Sequence, residues 1–304
     1  MAKTAKERAP ERLRKTPPAK LHHFVPQFYL RQWCDSDGKL WVYAIDGRAP
    51  FRASPRQFAA ETKLYTPKPD AEAVRHDTES WLSGWESHFA KVWPDVVDRA
   101  DDPRTRANVA RFIGTLIARH PKNRRWILEL NELFQRGADG VPDDGEVTLV
   151  NRESETKLKA SEIREFALTD ADSIRTDHVR LMPSASKAAA DALMSRRWFV
   201  VVAESPAFVT SDDPVVLLRG SCWRPKFGLG SPGTIVNFAV SPSRFLVLAD
   251  EWERTFAHGL VDDADVFIRR IVSGANRFVF AAEKNDAISR AIAERIKRQP
   301  PRRD

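Results

Sequence analysis

WFVVVAESPAFVTSDDPVVLL, residues 198–218, contains three short runs rich in valine, phenylalanine and leucine, with turn residues between them. Two further runs of the same kind follow at 234–240 and 245–249. Short stretches of these residue types, bounded by serine, proline and aspartate, are typical of strands. The back half of the chain is therefore predicted to form a mainly antiparallel sheet.

The sequence before this region is dominated by helical spacing. Apolar residues recur every three or four positions from 71 to 93. Asp102-Pro103 starts a second long helix, which is expected to kink at Pro121 and continue to Phe134. Separation of helices and strands along the chain predicts an α+β fold, in which a helical N-terminal half packs on the sheet formed by the C-terminal half.

The chain is expected to have a folded body and two polar ends. Residues 1–20 are rich in lysine, arginine, alanine and proline, so they are predicted to be a disordered basic tail. Residues 21–290 are expected to form a single α+β domain, with the polar loop at 137–160 as a candidate internal boundary. If the body is a single domain, the strand predicted at 39–45 would join the later sheet. Residues 291–304 are expected to be the end of the last helix and a basic tail.

The composition excludes several classes of protein. The chain has 304 residues, of which 42% are hydrophobic and 30% charged, as in ordinary globular proteins. It lacks both an apolar run of the roughly 18 residues that span a bilayer and a secretory signal, so a cytoplasmic protein without a membrane partner is expected. Two cysteines are too few for a disulfide framework. Gly-rich phosphate loops and the His-Glu-x-x-His and Cys-x-x-Cys motifs are absent.

The net charge of +7 is concentrated at the two ends of the chain. The first twenty residues carry a net charge of +5 and the last fourteen carry +3, so the body between them is close to neutral. Flexible basic arms can bind phosphate backbones by releasing counterions. They serve equally well as solubilising ends, so nucleic acid is one of two open expectations for these tails.

Two adjacent histidines, His22 and His23, lie between the basic leader and an apolar run. Neighbouring side chains point to different sides of a helix or a strand, so at most one imidazole is expected to act as a metal ligand or general base. The other would then support it by hydrogen bonding. The alternative is that both histidines are structural.

The stretch Thr210-Ser211-Asp212-Asp213-Pro214 combines two hydroxyls with two carboxylates at the end of a predicted strand. Such hard oxygen ligands suit Mg²⁺ or Mn²⁺. The same residues are also typical of a turn in which Asp212 satisfies nearby backbone N–H groups and Pro214 starts the next strand.

Two strings carry a resemblance to a known family: His-His-x-x-Pro-x-x-Tyr-Leu at 22–30 and Thr-Ser-Asp-x-Pro at 210–214. Together they resemble the bacterial family of unknown function DUF4238, over roughly residues 21–282. The resemblance favours functional roles for Asp212 and for Glu61, which lies in a segment that is similar to the family pattern. The candidate site that these residues predict has His22, His23 and Asp212 as catalytic groups and Glu61, Asp212 and Asp213 as metal ligands.

One basic cluster lies inside the body, where no acidic residue occurs from 111 to 125. Its arginines and lysine are candidate phosphate contacts; the alternative is an ordinary charged helix end. His120 follows the apolar stripe of the same helix, so it is expected at the edge of the core and not in catalysis. The members of the cluster are Arg111, Arg119, Lys122, Arg124 and Arg125.

These observations predict a metal-dependent nuclease that acts on DNA or RNA, with a defence or toxin-like role. One imidazole of the histidine pair is expected to face Asp212, and Glu61 is expected to complete a site for Mg²⁺ or Mn²⁺ that activates water. A non-catalytic nucleic-acid-binding or regulatory module is the first alternative. The second is a small-molecule hydrolase that uses one histidine as a base, in a pocket too narrow for a polynucleotide.

Overall fold

The computed structural model describes residues 21–68, 71–99, 102–150, 155–165, 170–219, 228–250 and 264–298. The helices in these ranges are α1 (Gln27–Leu30), α2 (Glu72–Asp98), α3 (Pro103–Arg119), α4 (Lys122–Ala138), α5 (Ala160–Glu165), α6 (Ala171–Met194), α7 (Ala264–Gly274) and α8 (Asp286–Arg298). The strands are β1 (Leu21–His23), β2 (Leu40–Ala44), β3 (Phe51–Ala53), β4 (Ala60–Thr62), β5 (Glu146–Val150), β6 (Glu155–Lys159), β7 (Arg197–Val202), β8 (Thr210–Ser211), β9 (Val215–Arg219), β10 (Thr234–Ser241), β11 (Arg244–Ala249) and β12 (Phe278–Ala281).

Most of these strands belong to two four-stranded antiparallel sheets. The strand order is β7-β11-β10-β9 in one sheet and β3-β2-β12-β8 in the other. In the second sheet β12 pairs with β2, with Phe278 opposite Ala44 and Ala281 opposite Trp41. The predicted early strand therefore does pair with a strand from the end of the chain. The fold class is mixed α+β, as predicted.

One hydrophobic core connects α1, α2, α3, α6, α7 and α8 with both sheets, and a second small cluster of Ala138, Ala160 and Ile163 packs α5 against the end of α4. Tyr29 lies at the centre of the first core, where its hydroxyl donates to the Ala239 carbonyl at 2.6 Å and shares a 2.8 Å hydrogen bond with the Thr210 hydroxyl. Burying a tyrosine of this kind requires such partners for its hydroxyl. The aromatic rings at the core centre are Tyr29, Trp33, Trp93, Phe112 and Phe238.

Helices α3 and α6 form the closest helix pair, and a glycine permits their approach. A Cβ atom added to Gly114 would meet the carbonyl oxygen of Ser186 and, at 3.1 Å, the backbone nitrogen of Ala190. The hydroxyls of Thr115 and Ser186 are hydrogen bonded across the same contact at 3.0 Å. This packing fixes the C-terminal half of α3 against the C-terminal half of α6.

The structure corrects several predicted boundaries. The second long helix does not continue past Pro121; α3 ends at Arg119 and α4 begins at Lys122, because proline lacks the N–H that a continuous helix would use. The polar loop expected at 137–160, in which 147–150 has the composition of a short strand, contains β5 at that position and pairs it with β6. Helical spacing is clear in the sequence only from about residue 185, whereas α6 begins at Ala171.

The separation of helices and strands along the chain is looser than predicted. Strands β1 to β4 come from the front half, and β8 leaves its neighbours to join the sheet of β2 and β12. The two predicted basic tails, residues 1–20 and the end beyond 298, lie outside the described residues. Within the described ranges, none of the helices combines the length and the apolar character needed to cross a bilayer.

Candidate functional site

The C-terminal end of α3 is capped by side chains from three other segments. The last carbonyls of a helix have no partner within it. The imidazole Nε2 of His178 in α6 lies 2.9 Å from the Ala118 carbonyl, and the Tyr65 hydroxyl donates to the Arg119 carbonyl at 3.0 Å. The side-chain amide of Asn123 also donates to the Ala118 carbonyl, at 3.0 Å. These contacts bring His178 and Tyr65 together where α3 stops.

His22 also packs against Tyr65. Its ring stacks on the Tyr65 ring with centroids 5.2 Å apart, and its Nδ1 accepts the backbone N–H of Tyr65 at 3.0 Å. Burial lowers the pKa of His22, so the ring is neutral at pH 7. Since Nδ1 is an acceptor, the proton of the neutral ring is on Nε2. This Nε2–H group is buried and has no hydrogen-bond partner among the described residues.

His178 presents the opposite group. A carbonyl can only accept, so the contact with Ala118 places the ring proton on Nε2. The pKa of His178 is also lowered, chiefly by burial, which leaves Nδ1 as a bare lone pair at pH 7. That atom is buried and unpartnered among the described residues. The centroids of the His178 and Tyr65 rings are 6.5 Å apart. Tyr65 therefore contacts two imidazoles, His22 with an unpartnered donor and His178 with an unpartnered acceptor.

Arg119 fixes the position of Tyr65. Its guanidinium is buried, donates to the Tyr65 hydroxyl at 3.2 Å and lies 5.8 Å from the centre of the ring. It also donates to Glu86 at 2.7 Å and to the His23 carbonyl. The predicted phosphate contact is thus a structural arginine in which each of three nitrogen atoms already has an acceptor.

An ion pair marks the solvent side of the site. Glu61 in β4 is the register partner of His22 in β1, which places the two side chains on the same face of the ribbon. Its carboxylate binds Arg124, and both side chains of this pair are partly exposed. The charges of Arg124 and Glu61 act on His178 in opposite directions. The expected proximity of His22 and Glu61 is therefore present.

A cavity of about 260 Å³ opens beside His178, between α3, α4 and α6. Its walls are mostly apolar, and His178 is a polar member of the lining. Trp126 and Leu181 are 57% and 46% exposed, so apolar side chains also form part of the open surface. The complete lining consists of Ile117, Ala118, Asn123, Trp126, Ile127, His178, Leu181, Met182 and Ala185.

Asp212 has a different environment from the one that was expected. Its buried carboxylate accepts the backbone N–H groups of Asn276 at 2.9 Å and Arg277 at 2.8 Å, which ties the β8 turn to the start of β12. Burial raises the pKa of Asp212 to about 6, against the opposing effect of these N–H donors. The histidine beside this turn is His120, whose Nε2 is 3.2 Å from the Asp212 carbonyl oxygen.

The remaining predicted ligands also have separate partners. His23 contacts the Arg56 carbonyl at 3.0 Å, and Asp213 accepts the Lys122 ammonium at 2.6 Å. Glu61, Asp212 and Asp213 therefore bind three different groups in the structure and are not brought together as one ligand set. No group of three or more His, Cys, Asp or Glu residues in the described ranges is arranged to hold a metal ion. Binding of Mg²⁺ or Mn²⁺ stays a prediction.

The other members of the basic cluster have partners within the protein. Lys122 binds Asp213 and Arg124 binds Glu61, while Arg111 lies 5.3 Å from the centre of the Trp85 ring. Arg125 is mostly exposed and pairs with Glu129 one helical turn later. Phosphate binding by these residues stays a prediction, and it would have to compete with these contacts.

Tyr65 and His178, the residues at the centre of this arrangement, were not predicted from the sequence. Tyr65 stands just after the segment of Glu61, in a stretch without helical or strand periodicity. His178 lies in the polar first half of α6, which shows no continuous apolar stripe. Pro183 lies at the middle of the helix. The available signal was Asp170, whose side chain caps α6 by accepting the N–H groups of Asp172 and Ser173.

Together the fold and the site define a mixed α+β protein in which two buried histidines pack against the same tyrosine. The sequence profile of the family described as "Protein of unknown function (DUF4238)" matches residues 21–288, and the chain belongs to this family. The predicted resemblance is thus confirmed. A search of curated proteins and a search of solved structures found no significant match.

Proposed function

We propose that the protein is a small-molecule hydrolase that uses His178 as a general base and His22 as a hydrogen-bond donor. The observation that supports this proposal most directly is the pair of unpartnered nitrogens, Nδ1 of His178 and Nε2–H of His22, in rings that are otherwise fixed. Buried polar atoms usually have partners, and those without one deserve a functional explanation.

In the proposed reaction the two nitrogens act in complementary steps of ester hydrolysis, which requires both of them to reach the same substrate carbonyl. The Nδ1 lone pair of His178 takes a proton from water while the water oxygen bonds to the carbonyl carbon. The Nε2–H group of His22 donates to the oxygen that becomes negative in the tetrahedral intermediate. Collapse of the intermediate breaks the bond to the leaving alcohol, which takes the proton back from His178. The products are an acid and an alcohol, and no other reactant is needed.

The lowered pKa values of both histidines fit these roles. A general base must be unprotonated, and burial keeps His178 neutral at pH 7. His22 is neutral for the same reason, so its single proton stays on Nε2. Arg119 and Glu86 hold Tyr65, and Tyr65 holds the His22 ring through its backbone N–H.

The burial of the site favours a small substrate over a polynucleotide. His22 is 7% exposed and His178 is 2% exposed, so a nucleic acid backbone could not reach either ring in this conformation. The cavity beside α4 is lined by His178 but not by His22, so a molecule of one ring or a short chain would have to enter past it to reach both rings. This property is the one expected of the small-molecule hydrolase that was an alternative from the sequence.

The test compares hydrolysis of small p-nitrophenyl esters by the wild type and two conservative variants. In His178→Gln the side-chain amide can still cap Ala118 but Nδ1 is lost. In His22→Asn the side-chain oxygen can still accept the Tyr65 N–H but Nε2–H is lost. We expect each variant to lose on the order of 100-fold or more in kcat/KM. The expected thermal unfolding midpoints lie close to that of the wild type.

The matched control is His76→Gln, because His76 is an exposed histidine far from full burial, with 82% of its side chain accessible. It should leave hydrolysis unchanged. The proposal fails if the wild type hydrolyses none of a panel of small esters, amides and phosphomonoesters. It also fails if both histidine variants fold and keep full activity.

The metal-dependent nuclease remains a competing proposal and the same proteins test it. Plasmid and total RNA are incubated with and without Mg²⁺ or Mn²⁺. Metal-dependent cleavage that survives in His178→Gln but is lost in Asp212→Ala would favour the nuclease. Salt-sensitive binding to nucleic acid without cleavage, lost on deletion of residues 1–20, would favour the binding module.

A further inference from the structure

We infer that the outer edge of β5 is an association surface that binds the same strand of a second copy of this chain. Antiparallel pairing of the two β5 strands would join two β5–β6 hairpins into one sheet, in the order β6-β5-β5-β6. This inference concerns the assembly of the protein and does not rest on the proposed function.

A hydrogen bond at the base of the hairpin shows which backbone groups face outward. The Ala160 N–H donates to the Gly145 carbonyl at 2.9 Å, and hydrogen-bonded and non-hydrogen-bonded pairs alternate along an antiparallel ribbon. The next pair, Glu146 with Lys159, is therefore not hydrogen bonded. In agreement with this, the Lys159 N–H donates to the Glu162 carboxylate at 2.8 Å instead.

The outward groups of β5 belong to every second residue. By the same alternation, Glu146, Thr148 and Val150 direct their N–H and C=O groups away from β6. None of these six groups has a hydrogen-bond partner among the residues that the structure describes. Glu146 and Thr148 are exposed and Val150 is 70% exposed, so the edge is open to another chain.

The two edges of the hairpin differ in how they are protected from association. Natural edge strands are usually blocked by lysine, proline or a bulge. The outward positions of β6 are the charged residues Glu155, Lys157 and Lys159. In contrast, β5 (Glu146–Val150) has a single charged residue, contains neither lysine nor proline, and keeps a continuous register with β6. This asymmetry points to β5 as the edge that pairs.

The β5 edge is complementary to itself. A two-fold axis at Thr148 places Thr148 opposite the same residue of the second copy, and Glu146 opposite Val150. In this register the three outward N–H and three outward C=O groups of each strand all pair, which gives six hydrogen bonds across the axis. A shift of the register by two residues would leave one outward residue of each strand without a partner in the other strand.

The charges of the edge also favour a second copy. Glu146 is the charged residue of β5, and it already binds Lys157 of its own hairpin at 2.9 Å. In the two-fold register each Glu146 lies opposite a valine and threonine lies opposite threonine, so like charges do not meet. Threonine pairs across two strands are favourable. A partner strand with a charged residue at the axis would gain no ion pair there.

The small core beneath the hairpin gives the association a physical reason. Its buried residues are Ala138, Ala160 and Ile163, and the hairpin adds only the partly buried Val147 and Leu158. A two-stranded ribbon is marginally stable by itself, whereas three or more strands form a stable sheet. Pairing of two hairpins supplies two further strands to each copy.

The first experiment measures the mass of the full chain by sedimentation at rising concentration, and we expect a reversible dimer of twice the 34.5 kDa chain mass. Thr148→Pro removes the N–H at the axis and leaves the β5–β6 hydrogen bonds in place, because this N–H points outward. The variant should raise the dissociation constant of the dimer on the order of tenfold or more. The matched control is Lys157→Pro, which removes an outward N–H from the β6 edge and should leave the dimer unchanged.

A cysteine at the axis tests the register in chains that keep the native hairpin. In Thr148→Cys the two thiols are on opposite residues, whose Cα atoms are about 5.5 Å apart in such a pair, within the range that a disulfide spans. In the control Val150→Cys the two thiols are four residues apart along the strands, or more than about 13 Å. Mild oxidation should link the first variant into a dimer and not the second. The wild type, with Cys34 and Cys222, is the blank.

A chain that stays monomeric at every concentration overturns the inference. In that case, slow hydrogen exchange of the Thr148 amide would identify a segment of the same chain as the occupant of the edge. A dimer that Thr148→Pro leaves intact, or that Lys157→Pro dissociates to the same extent, would show that the β5 edge is not the interface. Equal disulfide yields from Thr148→Cys and Val150→Cys would overturn the two-fold register.

Discussion

His120 illustrates how a single buried imidazole couples the fold to pH. Its Nε2 contacts the Asp212 carbonyl at 3.2 Å, and its Nδ1 accepts the Lys122 backbone N–H at 3.1 Å. The neutral ring satisfies both groups, whereas the charged ring would place a second N–H against the Lys122 donor. Burial lowers the pKa of His120 to about 4. A structural role at the edge of the core, as expected from the sequence, explains each of these contacts.

A stability measurement against pH tests this account. The unfolded chain gains a proton at His120 near pH 6.5, while the folded chain gains it only near pH 4. Folding stability is therefore lost as the pH falls through this window, by up to about 3 kcal/mol from this residue. His120→Asn keeps an acceptor for the Lys122 N–H and removes the titration. Urea unfolding between pH 7 and 4.5 should show a shallower decline in the variant.

Asp212 contributes to the same curve with the opposite sign. Its pKa is raised to about 6 in the folded chain, so folding takes up a proton between about pH 6 and 4 and the carboxyl favours the folded state there as the pH falls. The wild type and His120→Asn both contain Asp212, so its contribution to stability cancels when the two pH profiles are compared. Parallel pH profiles for the wild type and His120→Asn would contradict the assignment of the His120 pKa.

At the scale of single residues, the sequence predicted the proximity of His22 and Glu61 but not the partners of Asp212. His22 and Glu61 do lie together, because they are register partners on β1 and β4. The polar motif at Asp212 belongs to a separate turn, where backbone N–H groups from residues far along the chain occupy its carboxylate. Such long-range backbone contacts leave no local pattern in a sequence. The sequence alone therefore does not distinguish a carboxylate that binds a metal from one that accepts backbone N–H groups.

The α3–α6 pair shows the corresponding limits for whole elements. The Asp102-Pro103 start of α3 was predicted, since the Asp102 side chain accepts the Arg104 N–H at 2.8 Å. The first half of α6 was not predicted, because the residues that it buries include the polar Thr176 and His178. Pro183 also lies at the middle of the helix. Tertiary packing against α3 stabilises this half, and a periodicity search detects only the apolar part of such a face.

Gly114 gives a prediction for this helix pair. In Gly114→Ala the new Cβ would collide with backbone atoms of Ser186 and Ala190, which cannot move without separating the helices. We expect a loss of about 1 to 3 kcal/mol in the free energy of unfolding, in spite of the better helix propensity of alanine. Urea unfolding monitored by circular dichroism provides the measurement.

The matched control is Gly84→Ala in α2. A Cβ at Gly84 has nothing within 4 Å, and the residue is inside a helix. This substitution should stabilise the protein by about 0.4 to 1 kcal/mol. Effects of the same sign at the two glycines would show that close packing of α3 on α6 is not what requires Gly114.

At the scale of the whole molecule, β12 is the strand that unites the chain. It lies between β2 from the front and β8 from the back, and the Tyr43 hydroxyl of β2 accepts the Asn285 backbone N–H at 2.7 Å. The mixed α+β class was predictable from the order of periodic and β-rich segments. The division of the strands into two sheets was not, because the β8 run has the same local composition as its neighbours.

A fragment experiment tests the importance of this strand. Residues 1–195 include β2 but lack β12, which pairs with β2, and β8, which pairs with β12. We expect this fragment to show no cooperative thermal transition by circular dichroism. Addition of residues 196–304 should restore one. A cooperative transition in the first fragment alone would mean that the front half folds independently of β12.

The pairing of β2 with β12 also sets a delay during synthesis. Tyr43 in β2 and Asn285, which follows β12 and donates to the Tyr43 hydroxyl, are separated by 242 residues, and ribosomes add about 5 to 20 residues per second. Roughly 10 to 50 seconds pass in which β2 has left the ribosome and the strand that covers its edge does not yet exist. An unpaired strand edge invites association with other chains. Slow translation should therefore increase aggregation of this protein, and chaperones that bind nascent chains should relieve it.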